Sequence, residues 1–167
     1  GVSSWVTEDA KTSPILKNAQ KHETIYNWVD LDLFKPNINA KKELGLADKF
    51  VILGVSQIWS ERKGVEIFEE LSKLISDDSV IVMIGDANGH KSNDRIKYIG
   101  ATDSVEELVQ YYSAADVFFN PTREDTFPLI NLEIQSCGTP VITYKNTGTQ
   151  ETVDNKCGFN VENGDGK

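Results

Sequence analysis

Two charged groups stand just ahead of helix-like segments. Arg62-Lys63-Gly64 precedes the apolar series Val65, Phe68, Leu71 and Ile75, and Glu124-Asp125 precedes Pro128-Leu129-Ile130. A helix dipole disfavours cations at its start, so Arg62 and Lys63 make sense there if an anion shares the site. The same anion is served by the amides near Leu129 and Ile130, because the opening amides of a helix have no intrahelical acceptor. Pro128 itself offers no donor. Phosphate recognition is therefore the chemistry these residues suit. Each group also has a bland reading: an exposed basic pair on an acidic protein, an acidic first turn, and, for Glu133, a solvated helix residue. Asp125 and Glu133 are eight residues apart. That is about 800°, roughly 80° past two turns, so one continuous helix would not put them on one face. Asp125 precedes the helix, however, and its loop is free to swing it back.

The elements that must position these residues alternate between strand and helix. Phe50–Val55 and Val80–Ile84 are continuous apolar runs, as in strands buried on both faces of a parallel sheet. Ser56–Arg62 reads as a loop and Val65 to about Ile75 as an amphipathic helix. Ala87–Arg95 is a hydrophilic excursion, and Ile96–Ile99 a short strand. Ser104 and Glu107 have capping-box spacing for a helix carrying Leu108, Tyr111 and Tyr112 inward. Val117-Phe118-Phe119 is a strand. A helix follows, with Pro128 at its start and Gly138 past its end. Val141–Thr143 and Phe159–Val161 are the last strands, Glu151–Asp154 a short helical segment, and Glu162–Lys167 a polar tail. Right-handed β-α crossovers then give an α/β fold: a Rossmann-like parallel sheet with helices on both faces. The loop after the first strand carries no GxGxxG, so a dinucleotide fingerprint is absent.

Residues 1–39 read differently. A short helix begins at Ser13-Pro14 and runs through Leu16 and Ala19; Thr24-Ile25-Tyr26 is a brief strand; Ala40–Leu46 is a helical piece. The division expected is a lead-in over 1–39 and a binding domain over 40–167. Gly1 in place of Met fits a fragment of something longer. With 167 residues the chain has enough length for one well-packed core. Its formal charge of -9 argues against nucleic acid or an anionic membrane as the main partner. Cys137 and Cys157 read as free thiols, and His22 and His90 form no ligand-spaced group, so no metal site is predicted. No signal peptide or membrane-length apolar run is present.

A set of motifs in order carries a family resemblance. These are Ile25-Tyr26-Asn27-Trp28-Val29-Asp30 with Phe34-Lys35-Pro36, Trp59-Ser60-Glu61-Arg62-Lys63-Gly64, and Val82-Met83-Ile84-Gly85-Asp86. They continue with the run Tyr111–Thr122, then Glu124 through Glu133, and Ser136-Cys137-Gly138-Thr139-Pro140-Val141-Ile142. Together they resemble the C-terminal domain of a family 4 glycosyltransferase of the GT-B fold, a retaining nucleotide-sugar transferase. The likeness is greatest to members serving bacterial capsule and exopolysaccharide synthesis.

That resemblance implies roles. The spacing of the E-x7-E element puts its first carboxylate, beside the donor sugar, at Asp125; Glu124 stands one residue early, which leaves both as alternatives for the sugar contact. Its second, the ribose contact, falls at Glu133. Lys63 matches the lysine that neutralises the diphosphate. The companion arginine falls near Gln57, which leaves two alternatives: Arg62 replaces it, or that charge is missing. Phe127 and Pro128 lead into Leu129 and Ile130, whose amides face the phosphates, and Gly100 lies in the neighbourhood of the base. Thr147-Gly148-Thr149-Gln150-Glu151 resembles a G-G-x-P-E loop of which Gly148 and Glu151 are kept. Trp28 replaces a usual glycine.

The resemblance further implies the donor-binding half of a glycosyltransferase. It would take a nucleotide-diphosphate sugar, use no cofactor or metal, and transfer to a saccharide or lipid-linked acceptor held by an N-terminal lobe. Alone it would be nearly inactive. No nucleic acid is implied; the expected location is cytoplasmic, with any membrane contact peripheral and through that other lobe. The rival readings are a degenerate, non-catalytic lobe, and an epimerase or phosphorylase built on the same fold.

Overall fold

The computed structural model describes residues 1–162. Six strands form one fully parallel sheet: β1 (Phe50–Ile58), β2 (Ser79–Asp86), β3 (Ile96–Ile99), β4 (Val117–Asn120), β5 (Val141–Tyr144) and β6 (Gly158–Val161). Their order is β3-β2-β1-β4-β5-β6. Chain order therefore reverses between β1 and β4, where Ile52 pairs with Val117 and Leu53 with Phe118. In open α/β sheets the crevice beyond the strand ends at such a reversal is where ligands bind.

Side-chain alternation along the buried strands divides the core in two. Val51, Leu53, Val80, Val82 and Ile84 point to one face and meet Tyr112 of α4 (Val105–Ala114) and Ile134 of α5 (Leu129–Ser136). Ile52, Ile81 and Met83 point to the other and meet Val65 and Phe68 of α3 (Val65–Ser72). Helices thus cover both faces, as the pattern of continuous apolar strands requires. Trp59 is buried among the second group, edge-on to Phe68 at 5.3 Å, and its Nε1 donates to the Ile84 carbonyl at 3.1 Å. It is a core residue and lines neither strand-end opening.

Several local expectations need correction. The first strand continues through Ile58, where a loop is predicted from Ser56; the backbone shifts register between Val55 and Ile58 and keeps pairing with β2. The helix predicted to about Ile75 stops at Ser72. Thr24–Tyr26 is not a strand: it joins no edge of the sheet, and the Ile25 amide bonds instead to the Gly1 carbonyl at 2.9 Å; Ser13–Ala19 is only a turn. The helix near the start is instead α1 (Ser4–Thr12), capped by Ser3, whose Oγ accepts from the Val6 amide. The helical piece from Ala40 is α2 (Ala40–Glu43). The segment expected over Glu151–Asp154 is a 3-10 turn at Thr149–Thr152. The Ser104 cap is present, with Oγ accepting from the Glu107 amide at 3.2 Å. Both cysteines are free; burial raises the Cys137 thiol to about 11. Beyond Glu162 the expected polar tail lies outside the described residues.

Candidate functional site

The loops after β1 and β4 flank the reversal point, and they carry both charged groups. Arg62 and Lys63 occupy a 3-10 turn, Glu61–Lys63, after β1; Glu124 and Asp125 lie in the loop after β4. Backbone contacts tie the two loops together. The Arg123 amide donates to the Arg62 carbonyl at 3.1 Å, and the Arg123 guanidinium reaches Glu66 at 2.8 Å and Glu61 at 3.4 Å. Gly64 adopts φ +76°, and a Cβ there would lie 2.7 Å from Pro121 Cγ. Only glycine both takes that conformation freely and lets the turn press onto the second loop.

Within this frame the Lys63 ammonium lies 3.4 Å from Asp125 Oδ2. Asp125 is held from behind by Thr147, a residue with φ +38° in the loop after β5. Thr147 Oγ1 donates to the Asp125 carbonyl at 2.7 Å and lies 3.1 Å from the Asp125 amide that it accepts from. The Gly148 amide adds a second bond to the same carbonyl at 3.1 Å. Asn146 Nδ2 donates to the carbonyls of Thr122 and Arg123. The β5 loop is thus a clamp on the β4 loop.

A buried polar network supports it. Asn131 of α5 is fully buried; its Oδ1 accepts from Asn120 at 2.9 Å and its Nδ2 donates to Thr152 at 2.8 Å. Thr152 in turn donates to the Thr149 carbonyl at 2.6 Å. A connected buried network of this kind fixes the relation between helix, strand end and loop, although the buried Thr149 Oγ1 beside it has no protein partner.

Two cavities open at the strand ends. The larger, about 540 Å3, is lined by Val55, Ser56, Gln57, Ile58, Ser60, Arg62, Lys63 and Ile130. The smaller, about 330 Å3, includes Glu124, Asp125, Thr126, Thr147 and Trp5. Arg62 and Lys63 line both. α5 begins at Leu129, with Pro128 as an N-cap that makes no side-chain bond, so no capping side chain claims its first amides, and Ile130 lines the larger cavity. Phe127 is buried against the Tyr26 ring at 5.4 Å.

The structure therefore gathers Gln57, Arg62, Lys63, Glu124, Asp125 and Ile130 around one cleft. Glu133 is half-buried one turn into α5 and accepts a bond from Tyr112 Oη at 3.4 Å; it lines neither cavity. Burial pushes its carboxyl up, and the Tyr112 hydroxyl opposes that only in part. Gly100 is exposed at the end of β3, the outermost strand on its side, and also lines neither. Among the described residues no three His, Cys, Asp or Glu side chains group as metal ligands.

The profile of the family described as Glycosyl transferases group 1 matches residues 49–167. The chain belongs to that family. It is 32% identical, over 85% of its length, to a UDP-Gal:alpha-D-GlcNAc-diphosphoundecaprenol alpha-1,3-galactosyltransferase of Escherichia coli. It is 27% identical, over 97%, to the capsular polysaccharide biosynthesis glycosyltransferase CapM of Staphylococcus aureus. It spans 41% and 48% of those two proteins. Sucrose-phosphate synthase from Thermosynechococcus elongatus superposes with a TM-score of 0.80 and 27% identity over 96% of this chain and 44% of that one. The parallel six-stranded sheet is that of a GT-B glycosyltransferase lobe.

Sequence reasoning missed four residues of the site. Trp5 stands in a polar arm with no motif to connect it to the cleft. Thr147 and Glu151 are visible only as parts of a poorly matched loop, and Asn131 looks like an ordinary helix residue. Their roles come from tertiary contacts that no local spacing encodes.

Proposed function

We propose that this chain is the donor-binding half of a retaining glycosyltransferase, holding a nucleoside diphosphate sugar for transfer to a saccharide or lipid-linked acceptor. One observation carries the reading: Arg62 and Lys63 sit at the junction of two cavities, opposite the start of α5 and beside Asp125. The larger cavity suits a nucleoside, the smaller a monosaccharide, and the cationic junction the diphosphate between them.

The chemistry follows from that order. When the bond from anomeric carbon to phosphate oxygen breaks, its electron pair stays on the leaving diphosphate. Lys63, Arg62 and the amides of Leu129 and Ile130 stabilise the growing charge, a preorganised electrostatic role. Asp125, with Glu124 behind it, orients the sugar hydroxyls and favours positive charge at the anomeric carbon. Glu133 and Gly100 line neither cavity, so they meet the ribose and the base only where the nucleoside extends out of the larger cavity along α5. The acceptor hydroxyl attacks from the leaving-group face, its oxygen bonding the anomeric carbon as its proton passes to the departing diphosphate oxygen, so the reading invokes neither a protein nucleophile nor a metal. The acceptor belongs to the other lobe of the full protein. The reading includes a cytoplasmic setting with any membrane contact peripheral and through that other lobe.

The exposed, neutral Gln57 favours a second reading, a lobe that no longer turns over. One titration decides between them. UDP, GDP and ADP, then their sugar conjugates, are added to the chain and to Lys63→Ala while ligand NMR signals are followed. Saturable binding weakened by the substitution supports the donor lobe; equal binding by both proteins removes the phosphate role from Lys63.

A further inference from the structure

We propose that the indole of Trp5 is the apolar wall of the sugar subsite, stacking on the C–H face of the donor's pyranose ring. The proposal rests on the donor-lobe reading and extends it to a residue outside the matched segment 49–167.

A pyranose has hydroxyls around its rim and C–H groups on its faces. A site that grips one needs polar groups for the rim and a flat apolar surface for a face. The smaller cavity has both. Glu124, Asp125, Thr126 and Thr147 supply carboxylates and hydroxyls, and Trp5 is the one aromatic among its lining residues. An indole has an electron-rich face and a broad apolar area, so polarised C–H groups pack on it well. Trp5 is 43% exposed, in contrast to Trp59, which is 2% exposed and satisfies the core. Exposure alone does not single it out, since Trp28 is 77% exposed; its place on the lining of a polar cavity does.

The placement of Trp5 is also built. It sits in the first turn of α1, whose opening amides need acceptors. Glu151 provides them: Oε2 accepts from the Ser4 amide at 2.7 Å and Oε1 from the Trp5 amide at 2.8 Å. Tyr26 Oη donates to the same carboxylate at 3.1 Å, and its ring meets Phe127. Glu151 follows Thr147 and Gly148, which hold Asp125. One short loop, 147–151, therefore supports both the polar rim and the aromatic wall. Glu151 is a positioning residue for Trp5.

The test separates sugar from nucleotide. UDP, GDP, ADP and their hexose and N-acetylhexosamine conjugates are titrated against wild type, Trp5→Ala, Trp5→Phe and Glu151→Gln, with thermal unfolding followed in parallel. The readout is the ratio of diphosphate Kd to conjugate Kd. In wild type the conjugate binds more tightly. In Trp5→Ala the bare diphosphate keeps its Kd within about twofold while the ratio falls about three- to tenfold, the range of an aromatic contact. Trp5→Phe retains part of the ratio, and Glu151→Gln lowers it without touching the diphosphate. An unchanged ratio in Trp5→Ala, a parallel loss of diphosphate and conjugate, or a wild type in which the sugar adds nothing overturns the proposal while leaving the donor lobe standing. A wild type that binds no nucleotide removes the donor lobe and this wall with it.

Discussion

The Lys63 ammonium and the Asp125 carboxylate stand 3.4 Å apart, each side chain about a quarter exposed, although 62 residues separate them in sequence. The separation exceeds the roughly 2.7–2.9 Å of a strong charge-assisted bond. Lys63 is thus held near the carboxylate yet free to turn to an incoming phosphate. Lys63→Ala is expected to weaken nucleoside diphosphate binding roughly tenfold or more, from the about 1.5–3 kcal/mol of a hydrogen bond to a charged group. Asp125→Asn removes a competitor for the ammonium, so bare diphosphate binds as well as before or more tightly, while the added affinity of the sugar falls. Calorimetric titration of both variants checks the opposite signs. Equal losses in the two would mean that the pair is only a structural link between loops.

Glu133 shows a conflict between stability and ligand. Burial raises its carboxyl above the ordinary value of 4.5, and Tyr112 compensates only in part. A raised folded-state value means that the folded chain prefers the protonated form. The resulting contribution is present below the unfolded value and is lost as pH rises through the folded one. Glu133→Gln should therefore be more stable than wild type at neutral pH. Each 1 kcal/mol of such a gain would read as about 2–4 °C in Tm for a chain of this size. The gain should shrink as pH falls through the range just above 4.5. If Glu133 holds the ribose, the same variant binds nucleotide less well. A Tm difference that does not depend on pH removes the desolvated charge as its cause.

Periodicity was enough to read the sheet. Val80–Ile84 and Val117–Phe119 are continuous apolar runs because helices cover both faces, and burial of both faces leaves no polar alternation to mislead. Helix starts were legible where a capping residue or proline marks them, at Ser104 and Pro128. The extension of β1 through Ile58 was not, since Ser56 and Gln57 are turn-like and form an irregularity in the ladder, which resumes only at Ile58 opposite Asp86. The charged half of the site was legible as cations misplaced at a helix start. The support behind it was not. Asn131, Thr147 and Glu151 act across gaps of 21, 22 and about 146 residues, through contacts that exist only once the chain is folded.

Gly148 has an ordinary φ of -78°, so its requirement is space rather than backbone freedom. A Cβ there would lie 1.7 Å from the Thr126 carbonyl oxygen, a backbone atom that no rotamer change moves away. Gly148→Ala must push the 147–151 loop off the loop after β4. Overpacking of this kind costs typically about 1–3 kcal/mol, or about 2–12 °C in Tm at this size. Because Thr147 and Gly148 both bond to the Asp125 carbonyl, binding of the nucleotide sugar should fall as well. Thermal unfolding and titration of the folded variant check the two effects separately. A variant with wild-type Tm and affinity would show that the loop shifts without consequence and that the clamp does not position Asp125.

Glu151 makes the docking of α1 sensitive to acid. Burial works to raise its carboxyl, but the amides of Trp5 and Ser4, the Ser4 hydroxyl and the Tyr26 hydroxyl outweigh it and hold the group below its ordinary value of 4.5. For a carboxylate depressed on folding, the stabilisation is complete above the unfolded value and is lost as pH falls through the folded one. Wild type and Glu151→Gln should therefore differ at neutral pH and converge in acid below 4.5. Hydrogen exchange gives a local readout. The Ser4 and Trp5 amides donate to Glu151, so their protection at neutral pH should drop in the variant while that of β1 and β2 amides stays. The ionised acceptor also sits at the positive end of α1, where the helix dipole adds to the two hydrogen bonds. The neutral amide of glutamine keeps an oxygen in place but loses that charge, so part of the protection survives. Full retention of protection in Glu151→Gln would mean that Ser3 alone caps α1 and that the carboxylate does not hold Trp5 over the cleft.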